Sequence, residues 1–234
     1  MKRLLLALLL ISQAFAEPPK PISDKLLQQA IRGAQKGDVK LQMALGFLYA
    51  DGKRIRQNYA EALKWWLMAA KRGNADGMQN VAVIYEQGHL GNPNYALALE
   101  WYEKAAAKGN PASQANLGLM YQEGRGTPKD LKKAREWYEK AALQGNALGQ
   151  NQLGLMYLDG LGVPQDYSQA AKWWQLAAKQ GDANGQYNYG LLFRDGTGVP
   201  KNLAEAKKWL KLSALQNFPL AKRELERLAI GDKR

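Results

Sequence analysis

The sequence predicts an all-α protein, an α/α solenoid of antiparallel helix hairpins that repeat every 36 residues. Two sets of residues recur at that interval along most of the 234-residue chain. The tryptophans are Trp65, Trp101, Trp137, Trp173 and Trp209. The glycines are Gly73, Gly109, Gly145 and Gly181, and Asn217 takes the next place in their series. The interval predicts five repeats, at 39–74, 75–110, 111–146, 147–182 and 183–218.

Residues 1–16 predict a signal peptide. Lys2 and Arg3 precede an apolar stretch, Leu4 to Ile11, that is too short to span a bilayer. Residues 14–16 have the A-x-A pattern of a cleavage site, so we expect the mature chain to begin at Glu17. We therefore expect an exported protein, and the short leader favours the bacterial periplasm.

Residues 17–38 predict a linker and a capping helix, and residues 219–234 predict a second capping helix and a tail. Each repeat between them predicts two helices, because a side chain that suits the N-cap precedes each one. Before the first helices these are Asp38, Asn74, Asn110, Asn146 and Asp182. Before the second helices they are Asn58, Asn94, Asp130, Asp166 and Asn202. The glycines that suit the end of a first helix are Gly52, Gly88, Gly124, Gly160 and Gly196.

Two finer details of the hairpins can also be predicted. Glu61, Gln169 and Glu205 lie three residues after an N-cap, which is the spacing of a capping box. Glycines in the middle of first helices predict close helix contacts, with the aromatic of the Trp65 series filling the space beside them. These are Gly46, Gly118, Gly154 and Gly190. In the pairs Trp65-Trp66 and Trp173-Trp174, we expect the second indole to be partly exposed.

The stretch "LGLMYLDGLGVPQDYSQAAKWWQLAAKQG", residues 153–181, resembles the Sel-one-like repeat family along its whole length. That family is related to the tetratricopeptide repeats, and the resemblance implies a right-handed superhelix whose first helices line a concave groove. The first two repeats depart from the pattern in their connecting loops, at "DGKRIRQN" and "QGHLGNPN". The resemblance is specific for the fold and implies a role in protein binding.

The sequence contains no motif for catalysis, and we expect neither an enzyme nor a cofactor or metal site. The chain has no cysteine and one histidine, His89, so thiolate or histidine clusters are excluded. Serine-lysine, Walker and zinc-protease motifs are absent from the sequence. Cysteine-rich members of the family have been linked to β-lactam binding, and the lack of cysteine prevents that inference for this chain.

A column of carboxamides on the first helices is the first candidate site. The amide column consists of Asn80, Asn116, Gln152 and Asn188, and Ala44 takes its place in the first repeat. Each amide can both donate and accept, so the column could bind the backbone of an extended peptide in the groove. Alternatively, these amides hydrogen-bond adjacent hairpins to one another.

A set of basic residues around the loops is the second candidate. The basic edge consists of Lys53, Arg54, Arg56, Lys129, Lys132, Lys133, Lys201, Lys207 and Lys208. Together with the net charge of +12, it could steer an acidic partner towards the protein. Alternatively, it is a solvated edge that promotes solubility.

These patterns predict an exported, non-catalytic scaffold that binds a protein or peptide partner, as an adaptor for envelope or peptidoglycan machinery. Two alternatives remain open: an immunity protein that neutralises a toxin in the periplasm, and an enzyme or ligand binder acting on cell-wall material. We expect a monomer that binds no nucleic acid and does not insert stably into a membrane.

Overall fold

The computed structural model describes residues 21–231, and these form twelve helices and no strand. The first capping helix, α1, covers Asp24–Gln35. The hairpins are α2 (Val39–Asp51) with α3 (Tyr59–Lys71), α4 (Ala75–Gln87) with α5 (Tyr95–Ala107), α6 (Pro111–Glu123) with α7 (Leu131–Leu143), α8 (Ala147–Asp159) with α9 (Tyr167–Lys179), and α10 (Ala183–Asp195) with α11 (Leu203–Leu215). The last helix, α12, covers Pro219–Gly231.

The helices begin and end at the residues that the sequence marks. At the N-terminus of α2 the Asp38 carboxylate accepts from the Lys40 and Leu41 amides, at 2.9 and 3.1 Å. All five second helices have the expected N-cap. The five C-cap glycines have φ between 66° and 75°, in the left-handed region that a side chain disfavours. The predicted helix ends are therefore confirmed.

The capping-box prediction is wrong at all three positions, Glu61, Gln169 and Glu205. The backbone N–H of Asn58 already donates to the carbonyl of Tyr49, at 2.9 Å, so no donor remains for Glu61. Glu61 pairs with Lys64 instead, and Glu205 pairs with Lys208 in the last repeat. The bond from N-cap to the preceding helix recurs in every repeat and closes the loop between the two helices of each hairpin.

Consecutive helices pack against each other within two compact units, which divide between Asn110 and Pro111. In the first unit, α1 to α5 pack in chain order. In the second, α6 to α12 do the same, and the first helices α6, α8 and α10 also contact one another in turn. This packing of 36-residue hairpins confirms the prediction of an all-α solenoid.

The mid-helix glycines lie against side chains of the second helices, as expected, but not against the Trp65 series. A Cβ atom built on Gly154 would lie 2.6 Å from Cδ1 and Cε2 of Trp174. One built on Gly118 would lie 2.6 Å from Cδ1 of Tyr138. The contact is therefore made by the residue that follows the Trp65 series, and the sequence-based assignment was one position too early.

The two indoles of each Trp-Trp pair have separate roles. Trp66 and Trp174 fill the glycine notches and are 5% and 2% exposed, so the expectation that they are partly exposed is wrong. Trp65 packs with residues of α1 and α2, and Trp209 packs with residues of α9 and α10. Trp65 and Trp209 therefore each lie between their own hairpin and the helix or hairpin that precedes it.

Among residues 21–231, no helix is long and apolar enough to cross a membrane. The predicted signal peptide, residues 1–16, lies outside the described residues. So do residues 17–20 of the linker and residues 232–234 of the tail.

Candidate protein-binding surfaces

The amide column lies on first helices at half-buried positions. In the first unit it consists of Asn80 alone, on α4, and the Nδ2 atom of Asn80 is buried without a hydrogen-bond partner. In the second unit Asn116, Gln152 and Asn188 lie on α6, α8 and α10. None of these three side chains has a hydrogen bond to another residue between 21 and 231. Their donors and acceptors are available to a partner.

Adjacent hairpins are instead joined by a different set of amides. The glutamine column consists of Gln42, Gln114, Gln150 and Gln186, which lie two positions before the amide column and are buried. Nε2 of Gln150 donates to the Ala142 carbonyl of the preceding hairpin, at 3.2 Å. Its Oε1 accepts from Gln180, which follows α9, at 2.7 Å. Residues of the glutamine column thus have the joining role that we considered for the amide column.

Sequence reasoning missed the glutamine column, although a signal was present. Gln114, Gln150 and Gln186 recur at the repeat interval, and their donors Gln144, Gln180 and Gln216 do so too. The second repeat has Met78 in the corresponding place, and this side chain packs with Ala70 and Ala105. Because Met78 interrupts the series, the glutamine column is not found by looking for residues that are identical in all five repeats.

In the second unit the amides belong to a larger exposed face on the first helices. Three residues after each amide comes a half-buried leucine, and four residues later a carboxylate. The three sets are Asn116-Leu119-Glu123, Gln152-Leu155-Asp159 and Asn188-Leu191-Asp195. Spacings of three and four residues place each set on one side of its helix. We call these nine residues the first-helix face.

The three carboxylates of the first-helix face differ in their surroundings. Glu123 pairs with Arg125, and Asp195 pairs with Arg194. The Arg194 hydrogen bond holds the pKa of Asp195 below its ordinary value, against the opposing effect of partial burial. Asp159 forms no side-chain hydrogen bond or ion pair with another residue between 21 and 231.

The basic edge is exposed except at Arg54 and Lys207, which are half-buried, and it is not continuous. In the second unit, Lys129, Lys132 and Lys133 flank the start of α7, and Lys201, Lys207 and Lys208 flank the start of α11. The repeat between them has no Lys or Arg from Ala147 to Ala171. Lys133 and Lys208 also pair with carboxylates of their own helices or N-caps, at 3.9 and 3.1 Å.

Loops of neighbouring hairpins do stack, as the basic edge requires. In the second unit, a Cβ atom on Gly162 would lie 3.1 Å from Cβ of Leu131, and one on Gly198 would lie 2.9 Å from Cβ of Tyr167. In the first unit, the His89 ring stacks on Tyr59 with centroids 3.9 Å apart. Lys53, Arg54 and Arg56 lie in the loop between α2 and α3.

Between residues 21 and 231 no group of three His, Cys, Asp or Glu side chains could hold a metal ion. The pKa of Asp195 is lowered by Arg194, whereas a general acid requires a raised pKa.

Comparison with protein families gives a match to the Sel1 repeat at residues 39–74, 75–110, 111–146, 147–182 and 183–218. Comparison with curated protein sequences gives no match.

Several solved structures are similar to the chain. A protective antigen of uropathogenic Escherichia coli that displays an SLR fold is 34% identical over 86% of this chain, with a TM-score of 0.78. A Sel1 repeat protein from Oxalobacter formigenes is 29% identical over 88%, with a TM-score of 0.81. The chain spans only 43% and 60% of the lengths of these two proteins. An immunity protein from Pseudomonas aeruginosa, 19% identical over 92% of this chain and 81% of its own, shares the fold with a TM-score of 0.62.

Proposed function

Because the chain belongs to the Sel1 repeat family, we propose that it is a non-catalytic scaffold that binds a protein or peptide partner through its first helices. One observation carries the proposal: Asn116, Gln152 and Asn188 present amides on three contacting helices, and none is used within the described chain. Each amide offers both a donor and an acceptor, so the backbone of a partner's extended segment is a suitable complement. The leucines beside them add apolar surface.

We propose further that the protein is exported and serves the cell envelope or peptidoglycan machinery as an adaptor. The signal-peptide pattern of residues 1–16 supports export, and the basic edge supports association with an acidic partner or surface. Cell fractionation followed by N-terminal sequencing tests the first part. We expect Glu17 at the start of the periplasmic protein, and a cytoplasmic protein that still begins with Met1 would contradict export.

The binding surface is tested by the triple substitution Asn116/Gln152/Asn188→Ala. The mature chain is immobilised and proteins captured from a periplasmic extract are quantified by mass spectrometry. We expect the triple variant to lose the captured partner, because each hydrogen bond to a partner contributes about 1 kcal/mol.

The matched control is Glu136/Ser168→Ala, which changes two exposed residues of the second helices α7 and α9. It should capture the partner as the unmodified chain does. Equal capture by the triple variant and the unmodified chain would rule out the amide column as the binding surface. Circular dichroism of each variant verifies that the helices are retained.

The immunity role differs from the adaptor role only in its partner. The fold shared with the Pseudomonas aeruginosa immunity protein is compatible with it, at an identity that indicates fold alone. Identification of the captured partner as a toxin, with protection of cells that express this chain, would favour immunity over the adaptor role. A role as an enzyme or ligand binder on cell-wall material would require turnover or binding of peptidoglycan fragments by the purified chain.

A further inference from the structure

The first-helix face carries information about which kind of peptide it binds. Its three helices repeat the same order of side chains: an amide, a leucine, and a carboxylate in the last turn. A segment that crosses these helices at the leucines therefore has amides on one side and carboxylates on the other. Asp159, whose charge is not paired within the described chain, would repel an acidic side chain there, even though the protein as a whole is basic.

The carboxylates stand where a negative charge is unfavourable within the chain. The C-terminal end of a helix carries the negative end of the helix dipole, which destabilises an acidic side chain in the last turn. Arginines offset this effect for Glu123 and Asp195. Asp159 is the last residue of α8, and no Lys or Arg occurs in its repeat before Lys172. A cation supplied from outside would offset the unfavourable charge of Asp159.

We infer that the first-helix face binds an extended segment that combines apolar side chains with lysine or arginine, and that Asp159 accepts the cation. The inference rests on the proposed function, since it names the partner chemistry of the same surface. Leu155 and Leu191 contact the apolar side chains, while Gln152 binds the backbone. The basic edge remains a separate surface for long-range attraction.

The distance between neighbouring first helices determines how many residues of the bound segment correspond to one hairpin. Packed helices lie about 8–10 Å apart, and a segment in the extended polyproline II conformation advances about 3.1 Å per residue, with three residues per turn. Three residues of the segment therefore correspond to one hairpin. Every third side chain of such a segment points to the same side. The fitting pattern therefore has one apolar and one basic side chain in every three residues, as in repeated Ser-Leu-Lys.

The experiment uses three fluorescein-labelled, end-blocked peptides with four repeats of Ser-Leu-Lys, Ser-Leu-Gln or Ser-Leu-Glu. Binding to the mature chain is followed by fluorescence anisotropy at near-physiological salt. We expect the lysine peptide to bind most tightly. Net charge alone predicts the opposite order, because a strongly basic chain attracts the glutamate peptide.

Asp159→Asn is the test of the acceptor. We expect it to weaken binding of the lysine peptide by about fivefold, the upper range for a partly exposed ion pair, and to leave the glutamine peptide unaffected. The thermal midpoint should not fall, since the change removes a charge that the helix dipole disfavours. Glu136→Gln, on the second helix α7, is the matched control and should leave binding of all three peptides unchanged.

Each outcome decides between the inference and the proposed function. Tightest binding of the glutamine or glutamate peptide, or an unchanged affinity in Asp159→Asn, overturns the inference. If the triple alanine variant nevertheless loses that binding, the face still binds peptides and the proposed function stands. Absence of binding by all three peptides also overturns the inference, while the partner-capture experiment decides the proposed function independently.

Discussion

At the scale of single residues, four of the five hairpins have one side chain that lies over a glycine. The pairs with rigid aromatics are Gly46 with Trp66, Gly118 with Tyr138, and Gly154 with Trp174. Two of these aromatics also use their polar ends: the Tyr138 hydroxyl donates to Gln122 at 2.8 Å, and the Trp174 indole donates to the Asn151 carbonyl at 3.2 Å. Burial raises the pKa of Tyr138, so its hydroxyl remains a donor.

Gly154→Ala should destabilise the protein, because the added Cβ would overlap the buried Trp174 indole. We expect a loss of about 1–3 kcal/mol in the free energy of unfolding, the usual range for overpacking. Urea denaturation followed by circular dichroism provides the measurement.

Gly190→Ala is the matched control, since its Cβ would lie 3.1 Å from Cγ of the flexible Leu210. It should cost less than Gly154→Ala, because the Leu210 side chain can move aside whereas the buried Trp174 indole cannot. Equal losses at the two sites would show that the identity of the facing side chain is unimportant. The result would then contradict the notch interpretation.

At the scale of elements, hairpins are joined by paired glutamines. Gln150 receives a hydrogen bond from Gln180 of its own hairpin and donates one to Ala142 of the preceding hairpin. Gln186 makes the equivalent bonds with Gln216 and Ala178, at 2.9 and 3.4 Å. These bonds are buried or partly buried, so loss of one member leaves other polar groups without a partner.

Gln150→Met should lower the free energy of unfolding by about 1–3 kcal/mol, the range for buried groups left unpaired. The second repeat has Met78 and Lys108 at the places of Gln150 and Gln180. In a double-mutant cycle we therefore expect Gln150→Met/Gln180→Lys to cost less than the sum of its single changes. Strict additivity in urea denaturation would contradict a direct coupling between the two residues.

The last capping helix is attached by a cluster of charges. Arg194 on α10 contacts its neighbour Asp195 and, at 2.6 Å, the buried carboxylate of Glu224 on α12. Arg194 lowers the pKa of Asp195, so the folded chain binds a proton at this carboxylate less readily than the unfolded chain does. The resulting stability is present above the unfolded pKa and is lost as the pH falls through the folded value.

Asp195→Asn should therefore reduce the dependence of stability on pH. Urea midpoints measured at about pH 7 and about pH 3 should differ less for the variant than for the unmodified chain. Glu136→Gln is the control, because its carboxylate is exposed on a second helix. An identical change with pH in both variants would show that the ion pair does not contribute.

At the scale of the whole molecule, the charge distribution should govern how fast a partner is found. Association driven by the basic edge should slow as salt rises, because exposed charges are screened. We expect Lys129/Lys132→Gln to slow association with the captured partner more than Lys71/Lys179→Gln, which removes the same charge from second helices. Surface plasmon resonance gives both rates, and equal slowing by the two variants would indicate an effect of net charge alone.

The fold can be predicted from the sequence because the residues that begin, end and pack the helices recur in every repeat. The Trp65 series, the N-cap column and the C-cap glycines determine helix ends and hairpin length without any long-range information. The choice between Trp65 and Trp66 for the glycine notch was missed, because adjacent residues recur at the same interval. Only the direction of each side chain on its helix separates them.

The candidate site could be predicted in part. The amide column was found because its members are polar at positions that flank the core of a helix. The uncompensated charge of Asp159 could not be predicted, since it depends on which arginines reach Glu123 and Asp195. Those contacts depend on how neighbouring side chains and loops are placed, and the repeat interval alone does not determine them.

The joints between hairpins are interchangeable. The Ala142 carbonyl that accepts from Gln150 has the same place in its repeat as the Ala178 carbonyl that accepts from Gln186. An extra copy of residues 147–182 inserted after Asp182 would meet the contacts it needs on one side and offer the same contacts on the other. Arrays of this kind can be lengthened by whole modules, and each module adds one more amide, leucine and carboxylate for a longer partner segment to reach.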